Sequence, residues 1–256
     1  MVATRGRRER LRAETTAEIK QVALALMAAG GPDAITLRAI AREMGMTANA
    51  IYGYFATRDD LVTALIEDVH TALADAIEAA WNADPAGTPG GTPGRVPDDT
   101  PGGSGSGGGP RERIRGWARA FRGWALANPQ GFRLVYGDPV PGYRPPEGGA
   151  APAAAQRVCL ALTAVTAAAW PWAEGLQADS AFGWSDFDAG LLDKVRPVFP
   201  ELPPAGLALA LRLWGRLHGL VALEVYGHLQ AQTARPDALF EEELTHLLRS
   251  LGLETP

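Results

Sequence analysis

Apolar residues recur every three or four positions along most of this chain, and no stretch shows the strict alternation of a half-buried strand. Ile19, Val22, Ala23, Leu26 and Met27 share one face of a helix predicted over about 12–29. A second helix over about 37–44 presents Leu37, Ile40, Ala41 and Met44, and Gly45 then supplies the left-handed residue that ends helices. A third, short helix falls within MTANAIYGYFATRDDL (46–61). A fourth starts at Thr57, where Thr57 and Asp60 have capping-box spacing with aspartate in the usual glutamate place. Its stripe of Leu61, Leu65, Val69, Leu73 and Ile77 is long enough to link two layers of structure.

The periodicity stops at residues 84–110, DPAGTPGGTPGRVPDDTPGGSGSGGGP, which offer almost nothing to bury and predict a disordered insertion. Gly103, Gly105 and Gly108 form a G-x-G-x-x-G there by composition alone, since no strand precedes it. Helices then resume. Ile114, Trp117, Phe121 and Trp124 line one stripe of 111–127, and GFRLVYGDPVPGYRPP reads as a short helix running into a Pro-rich loop. Next comes an Ala-rich helix over 153–170. The helix within 202–229 is apolar nearly all round, with Arg212, Arg216 and Glu224 as its main interruptions, and a last helix over 237–250 carries Leu239, Phe240, Leu244, Leu247 and Leu248. The pattern predicts an all-α chain with three parts: a basic disordered arm (1–11), a small three-helix head (12–73) and a C-terminal helical bundle (74–256) containing the insertion.

The short third helix poses a chemical question, because Tyr52 and Tyr54 flank Gly53 among Ala48, Asn49 and Ala50. At about 100° per residue, Ile51 and Phe55 fall together and face inward, with Ala48 and Thr47 near them. Asn49, Ala50 and Gly53 then point outward, and the two tyrosines sit about 80° to either side of the inward direction. A low ridge between two hydroxyl-tipped shoulders suits the DNA major groove, where small residues admit the helix to base edges and phenols reach phosphates. With the preceding helix and its Gly turn it forms a helix-turn-helix over about 36–55. Thr36 and Thr47 can cap helices and donate to phosphate, Arg38 can reach a guanine edge or the backbone, and Arg58 stands at a helix N-terminus that favours an anion.

Charge sharpens this picture. The 256-residue chain carries −5 overall, yet residues 1–60 hold nine Lys+Arg against seven Asp+Glu, so residues 1–60 carry +2 and residues 61–256 carry −7. A basic N-terminal end on an otherwise acidic chain meets a polyanion with one end only. Chemistry of other kinds finds little support. The four histidines show no metal-ligand spacing, the two lysines follow no phosphate-loop pattern, and G-x-S-x-G is absent from the sequence. No enzyme activity, cofactor or metal is therefore expected, although an all-α enzyme built on carboxylates stays open as an alternative. Cys159, the single cysteine, reads as a small core residue. No apolar segment comes after the Arg-rich start, and the stretch from Val158 to Ala173, broken by Pro171, falls short of the roughly 20 residues of a membrane span. The expectation is a cytoplasmic protein with no membrane partner.

Residues 12–73 resemble the N-terminal domain of TetR-type (TetR/AcrR) transcriptional regulators. ITLRAIAREMGMTANAIYGYFATRDDLVTALI carries that family's order of helix, glycine, short helix, aromatic pair, basic residue and leucine. Arg58 stands where the family has lysine, and Gly53 replaces its usual basic or histidine neighbour. The resemblance implies phosphate roles for Tyr52, Tyr54 and Arg58, and base or backbone contact for Arg38, Thr47, Ala48 and Asn49. LWGRLHGLVALEVYGHL, with Trp214, His218 and Gly219, also resembles the Trp-His-Gly type of C-terminal domain. Likeness to the family further implies a homodimer on a palindromic double-stranded operator, assembled through the C-terminal helices, with a small-molecule effector that releases a repressor from DNA. The all-round apolar helix at 203–229 independently suits an intersubunit four-helix bundle. Trp117, Phe121, Trp124, Tyr136, Trp214, His218 and Tyr226 are the expected lining of an effector cavity for an apolar or aromatic molecule. A helix-turn-helix protein that senses no ligand remains the other reading.

Overall fold

The computed structural model describes residues 2–83 and 109–253, so the predicted insertion lies, but for residues 109 and 110, outside the described residues. All regular structure among the described residues is helical: α1 (Val2–Gly30), α2 (Leu37–Glu43), α3 (Ala48–Tyr52), α4 (Arg58–Asn82), α5 (Pro110–Ala127), α6 (Pro129–Tyr136), α7 (Pro152–Ala173), α8 (Ala189–Val195), α9 (Pro204–Val225) and α10 (Pro236–Ser250). Three short 3-10 turns, Pro32–Ala34, Glu174–Gln177 and Trp184–Asp186, complete the order. The chain divides into two compact units. The first holds residues 1–71 and 128–152, and the second holds 72–127 and 153–256.

In the first unit, the α1 stripe predicted from sequence is buried at Ile19, Ala23 and Met27. α2 packs against both α1 and α3, and Leu37 and Ile40 of α2, Ile51 of α3, Phe55, and Leu61, Val62 and Leu65 of α4 are all buried as well. Residues 128–152 were expected with the C-terminal bundle, but they cluster with the head. Packing explains this: α6 lies against α1, and the Cα of Gly131 comes so close to Val69 that an added Cβ would sit 3.2 Å from its Cγ2. Phe132 and Leu134 are buried there, and Lys20 reaches across from α1 to Asp68 at 2.6 Å. The start of the chain also departs from expectation. Residues 2–11 continue α1 as helix rather than forming a disordered arm. Arg, Glu, Leu and Ala are good helix formers, and an existing helix extends far more easily than a new one nucleates.

The second unit is built on α5, α9 and α10, with α7 alongside. Trp117, Phe121 and Trp124 of α5, Leu213, Leu217 and Val221 of α9, and Phe240, Leu244 and Leu247 of α10 are buried. Ion pairs tie these helices at their polar edges. Arg122 holds Glu224 through two bonds of 2.8 and 2.7 Å and Asp237 at 2.6 Å, while Arg119 grips Glu241 bidentately at 2.8 Å. A second apolar centre gathers Val195, Phe199, Leu202 and Leu207 against Trp170, Trp184 and Phe187. The helix α8 that opens this centre was not expected, because its short AGLLDKV pattern gives too few turns to read. Cys159, half-buried at its edge, has its thiol pushed up by burial. Pro171 does not break α7, because it stands exposed in the last turn, where few hydrogen bonds depend on its missing N–H. With the helix running through it, Pro152–Gln177 and α9 are both long and apolar enough to cross a membrane by length and composition alone. Both contribute buried side chains to this unit's core, as central helices of globular bundles do.

Candidate DNA interface and effector cluster

Two threonines set the local geometry. Thr36 caps α2 by accepting the Ala39 N–H at 3.1 Å, and Thr47 caps α3 by accepting that of Ala50 at 3.2 Å. Each hydroxyl uses an acceptor lone pair in this, so its own O–H remains available to a ligand. Between the two helices Gly45 takes φ +63°, the Met46 N–H bonds the Ala41 carbonyl at 2.8 Å and the Gly45 N–H bonds that of Arg42 at 3.2 Å. That is the Schellman arrangement, and it turns the chain sharply into α3. The capping box of α4 also forms, with Thr57 N–H to Asp60 at 2.9 Å and Asp60 N–H to Thr57 at 3.0 Å.

The face carried by these helices is largely the expected one. Ile51 and Phe55 turn inward, with 0% and 8% of their surface exposed, while Thr36, Arg38, Thr47, Asn49 and Tyr52 are exposed and Ala48 is half-buried. Ala50, placed outward by the helical wheel, is half-buried too. Thr36, Arg38, Tyr52 and Thr57 surround one open hollow together with Leu37, Ala56 and the edge of Arg58. The two tyrosines differ. Tyr52 is 46% exposed, whereas Tyr54 lies past the end of α3 and is half-buried beneath Arg12. The Arg12 guanidinium sits 4.9 Å from the centre of the Tyr54 ring and donates to the Gly53 carbonyl at 2.8 Å. Arg12 was not singled out from sequence, though its place seven residues before Ile19, on the inward stripe of α1, is the signal that would find it.

Arg58 has backbone partners that were not expected. Its Nε donates to the Ile35 carbonyl at 2.6 Å, Nη2 to that of Pro32 at 3.1 Å and Nη1 to that of Pro141 at 2.8 Å. The guanidinium is turned into the protein's own backbone, because the turn before α2 and the loop after α6 both present carbonyls to it.

Four of the seven expected effector residues come together in the second unit. The Phe121 ring lies 6.0 Å from Trp117, 5.1 Å from Trp214 and 6.5 Å from His218, and Trp214 and His218 are 4.9 Å apart. Burial lowers the pKa of His218, and the fully buried Trp117 Nε1–H has no hydrogen-bond partner among the described residues. Trp124 is buried on α5. The remaining two sit elsewhere. Tyr136 belongs to the first unit, its ring 5.2 Å from Phe132 and its phenol pushed up by burial. Tyr226 caps the C-terminus of α9, 39% exposed and stacked on His228 at 6.4 Å.

Comparison with known proteins meets this geometry at both ends of the chain. The family described as bacterial regulatory proteins, tetR family, matches residues 19–65, and the tetracyclin repressor-like C-terminal domain matches 114–247. The HTH-type transcriptional regulators Rv1816 of Mycobacterium tuberculosis (strain ATCC 25618 / H37Rv) and Mb1846 of Mycobacterium bovis are each 30% identical over 245 residues, covering 95% of this chain and 94% of theirs. The crystal structure of a candidate regulatory protein, SCO4313, is 32% identical, with a TM-score of 0.65 over 94% of this chain and 98% of that one. A bacterial regulatory protein in the tetR family from Rhodococcus RHA1 shares the fold at 20% identity and a TM-score of 0.60, over 94% of this chain and 98% of that one. A helix-turn-helix head and a helical C-terminal domain, each matched by its own family profile on one chain, make this protein a member of the TetR family of DNA-binding transcriptional regulators.

Proposed function

We propose that the protein is a homodimeric repressor that reads a palindromic operator through α2 and α3 and leaves it when a small apolar or aromatic effector enters the second unit. The observation that carries this reading is the exposed face formed by Thr36, Arg38, Thr47, Asn49 and Tyr52 on two capped helices. Arg38 and Asn49 are suited to bidentate contact with guanine and adenine, and the small Ala48 lets α3 approach the base edges. Thr36, Thr47 and Tyr52 offer hydroxyl donors to phosphates on either side, and the basic start of α1 adds charge attraction that carries no sequence information. Tyr54, held under Arg12, supports the end of α3 and offers less of its surface to DNA than Tyr52.

Dimerisation finds support along α9. Leu211 and Leu223 are 46% and 44% exposed, and Cβ atoms added at Gly215 and Gly219, on the same stretch, would meet nothing within 4 Å. An exposed apolar stripe with small residues at its centre suits close packing of a symmetry-related helix. For the effector, the cluster of Trp117, Phe121, Trp214 and His218 favours an aromatic guest. An acceptor on that guest would satisfy the Trp117 N–H, a buried donor whose lack of a partner costs about 1–3 kcal/mol. The guest acts by favouring a conformation in which the two heads no longer match the operator spacing. Such a regulator works in the cytoplasm.

Selection of bound duplexes from a random DNA pool tests this reading. It should return a two-fold symmetric site, and an Arg38→Ala protein should return a site degenerate at the bases that Arg38 reads. Recovery of no consensus would refute it.

A further inference from the structure

Arg58 opens α4 beside the reading face, yet three of its nitrogens donate to main-chain carbonyls. Two of those carbonyls, Pro32 and Ile35, belong to the turn that leads into α2, and the third, Pro141, belongs to the loop after α6. Its neighbours on α4 hold the same loop. Asp59 accepts the Arg144 N–H at 3.3 Å, and the Thr63 and Tyr143 hydroxyls are 2.9 Å apart. The packing beneath is firm, with Ile35 at 0% and Val140 at 6% exposure. A planar guanidinium can bridge three carbonyls because its N–H groups diverge in a fixed fork, whereas a lysine ammonium is a point charge on a flexible stem.

We infer that Arg58 is a positioning residue of the reading head: it clamps the turn before α2 and the loop 137–144 to the first turn of α4, and thereby fixes the angle at which α2 and α3 meet DNA. The inference rests on the reading of α2 and α3 as the DNA-binding face. It assigns Arg58 a geometric role, in place of a phosphate contact, and it makes a loop far along the chain part of the DNA-binding machinery.

The test uses the full chain as wild type, Arg58→Lys, Arg58→Ala and Tyr143→Ala, each checked for helicity and melting. Hydrogen exchange without DNA reports the clamp through the amides of Ala34, Ile35, Tyr143 and Arg144, all of which are hydrogen-bonded. Fluorescence anisotropy on the selected operator and on a random duplex, over a salt series, reports the consequence. Arg58→Lys should speed exchange in both segments and weaken operator binding about tenfold, the scale of one misread base pair. Random-duplex binding and the salt slope should stay at wild-type values, and Tyr143→Ala should change in the same direction to a smaller extent. If the side chain were a phosphate contact, Arg58→Lys would bind as wild type and Arg58→Ala would lower the salt slope by about 0.9, with exchange unchanged. That pattern overturns the inference. If Arg58→Ala does not fold, the lysine and Tyr143 variants decide the matter. A wild type without site preference removes the DNA reading and the positioning role with it. Wild-type selectivity in the variants, with a wild type that is selective, removes the positioning role alone.

Discussion

Tyr52 and Arg38 share one exposed hollow, and the roles proposed for them on DNA differ. Tyr52→Phe removes only a hydroxyl, so operator and random duplex should weaken alike, by about 1 kcal/mol. Arg38→Ala should cost about 1–3 kcal/mol on the operator and much less on random DNA. Competition binding against both duplexes separates the two, and equal losses for Arg38→Ala would deny it a base contact. In the second unit, His218 titrates below its ordinary value of 6.5 because burial disfavours the imidazolium. Between the folded and unfolded pKa values the unfolded chain binds more protons, so the contribution of His218 to stability is complete above about pH 6.5 and is lost as pH falls through the folded pKa. A proton titration of the His218 ring by NMR should give a midpoint below 6.5, and a midpoint at or above it would contradict the buried, neutral assignment.

Elements in this protein are set by a few residues whose replacement has a calculable cost. Gly45 holds φ +63° with open space around it, so Gly45→Ala meets no clash and loses only what the left-handed conformation costs, about 1–2 kcal/mol. Denaturant unfolding should register that loss in the head, and an unchanged midpoint would mean that the α2–α3 turn relaxes freely. The same turn shows what the sequence makes legible: Gly45, Thr47, Thr57 and Asp60 act on partners within five residues, so their motifs can be read directly. The inward placement of Ile51 and Phe55 was legible for the same reason. The carbonyl partners of Arg58 were not legible because the third of them, Pro141, is 83 residues away, and charge at a helix start looks the same whether it faces solvent or backbone. Residues 128–152 went to the wrong unit because helical periodicity reports which face is buried and not what covers it. Pro171 misled in the other direction, since a helix tolerates proline near its end.

At the scale of the whole molecule the proposed function requires two copies that hold their reading faces at one spacing. The exposed Leu223 on α9 offers a direct handle on that assembly. Leu223→Arg should yield a folded monomer in sedimentation velocity, with operator affinity falling towards that of a single half-site. A wild-type protein that sediments as a monomer at micromolar concentration would contradict the proposed interface. The central claim is that α2 and α3 form the surface that binds a specific operator, and the most direct measurement is fluorescence anisotropy on the duplex immediately upstream of the protein's own gene. It should be run across a salt series with Arg38→Ala alongside. The wild type should bind site-selectively, with affinity that weakens steeply with salt, and the variant should lose that selectivity. Equal, weak binding of both proteins to that duplex, to a site chosen by selection and to random DNA would contradict the claim.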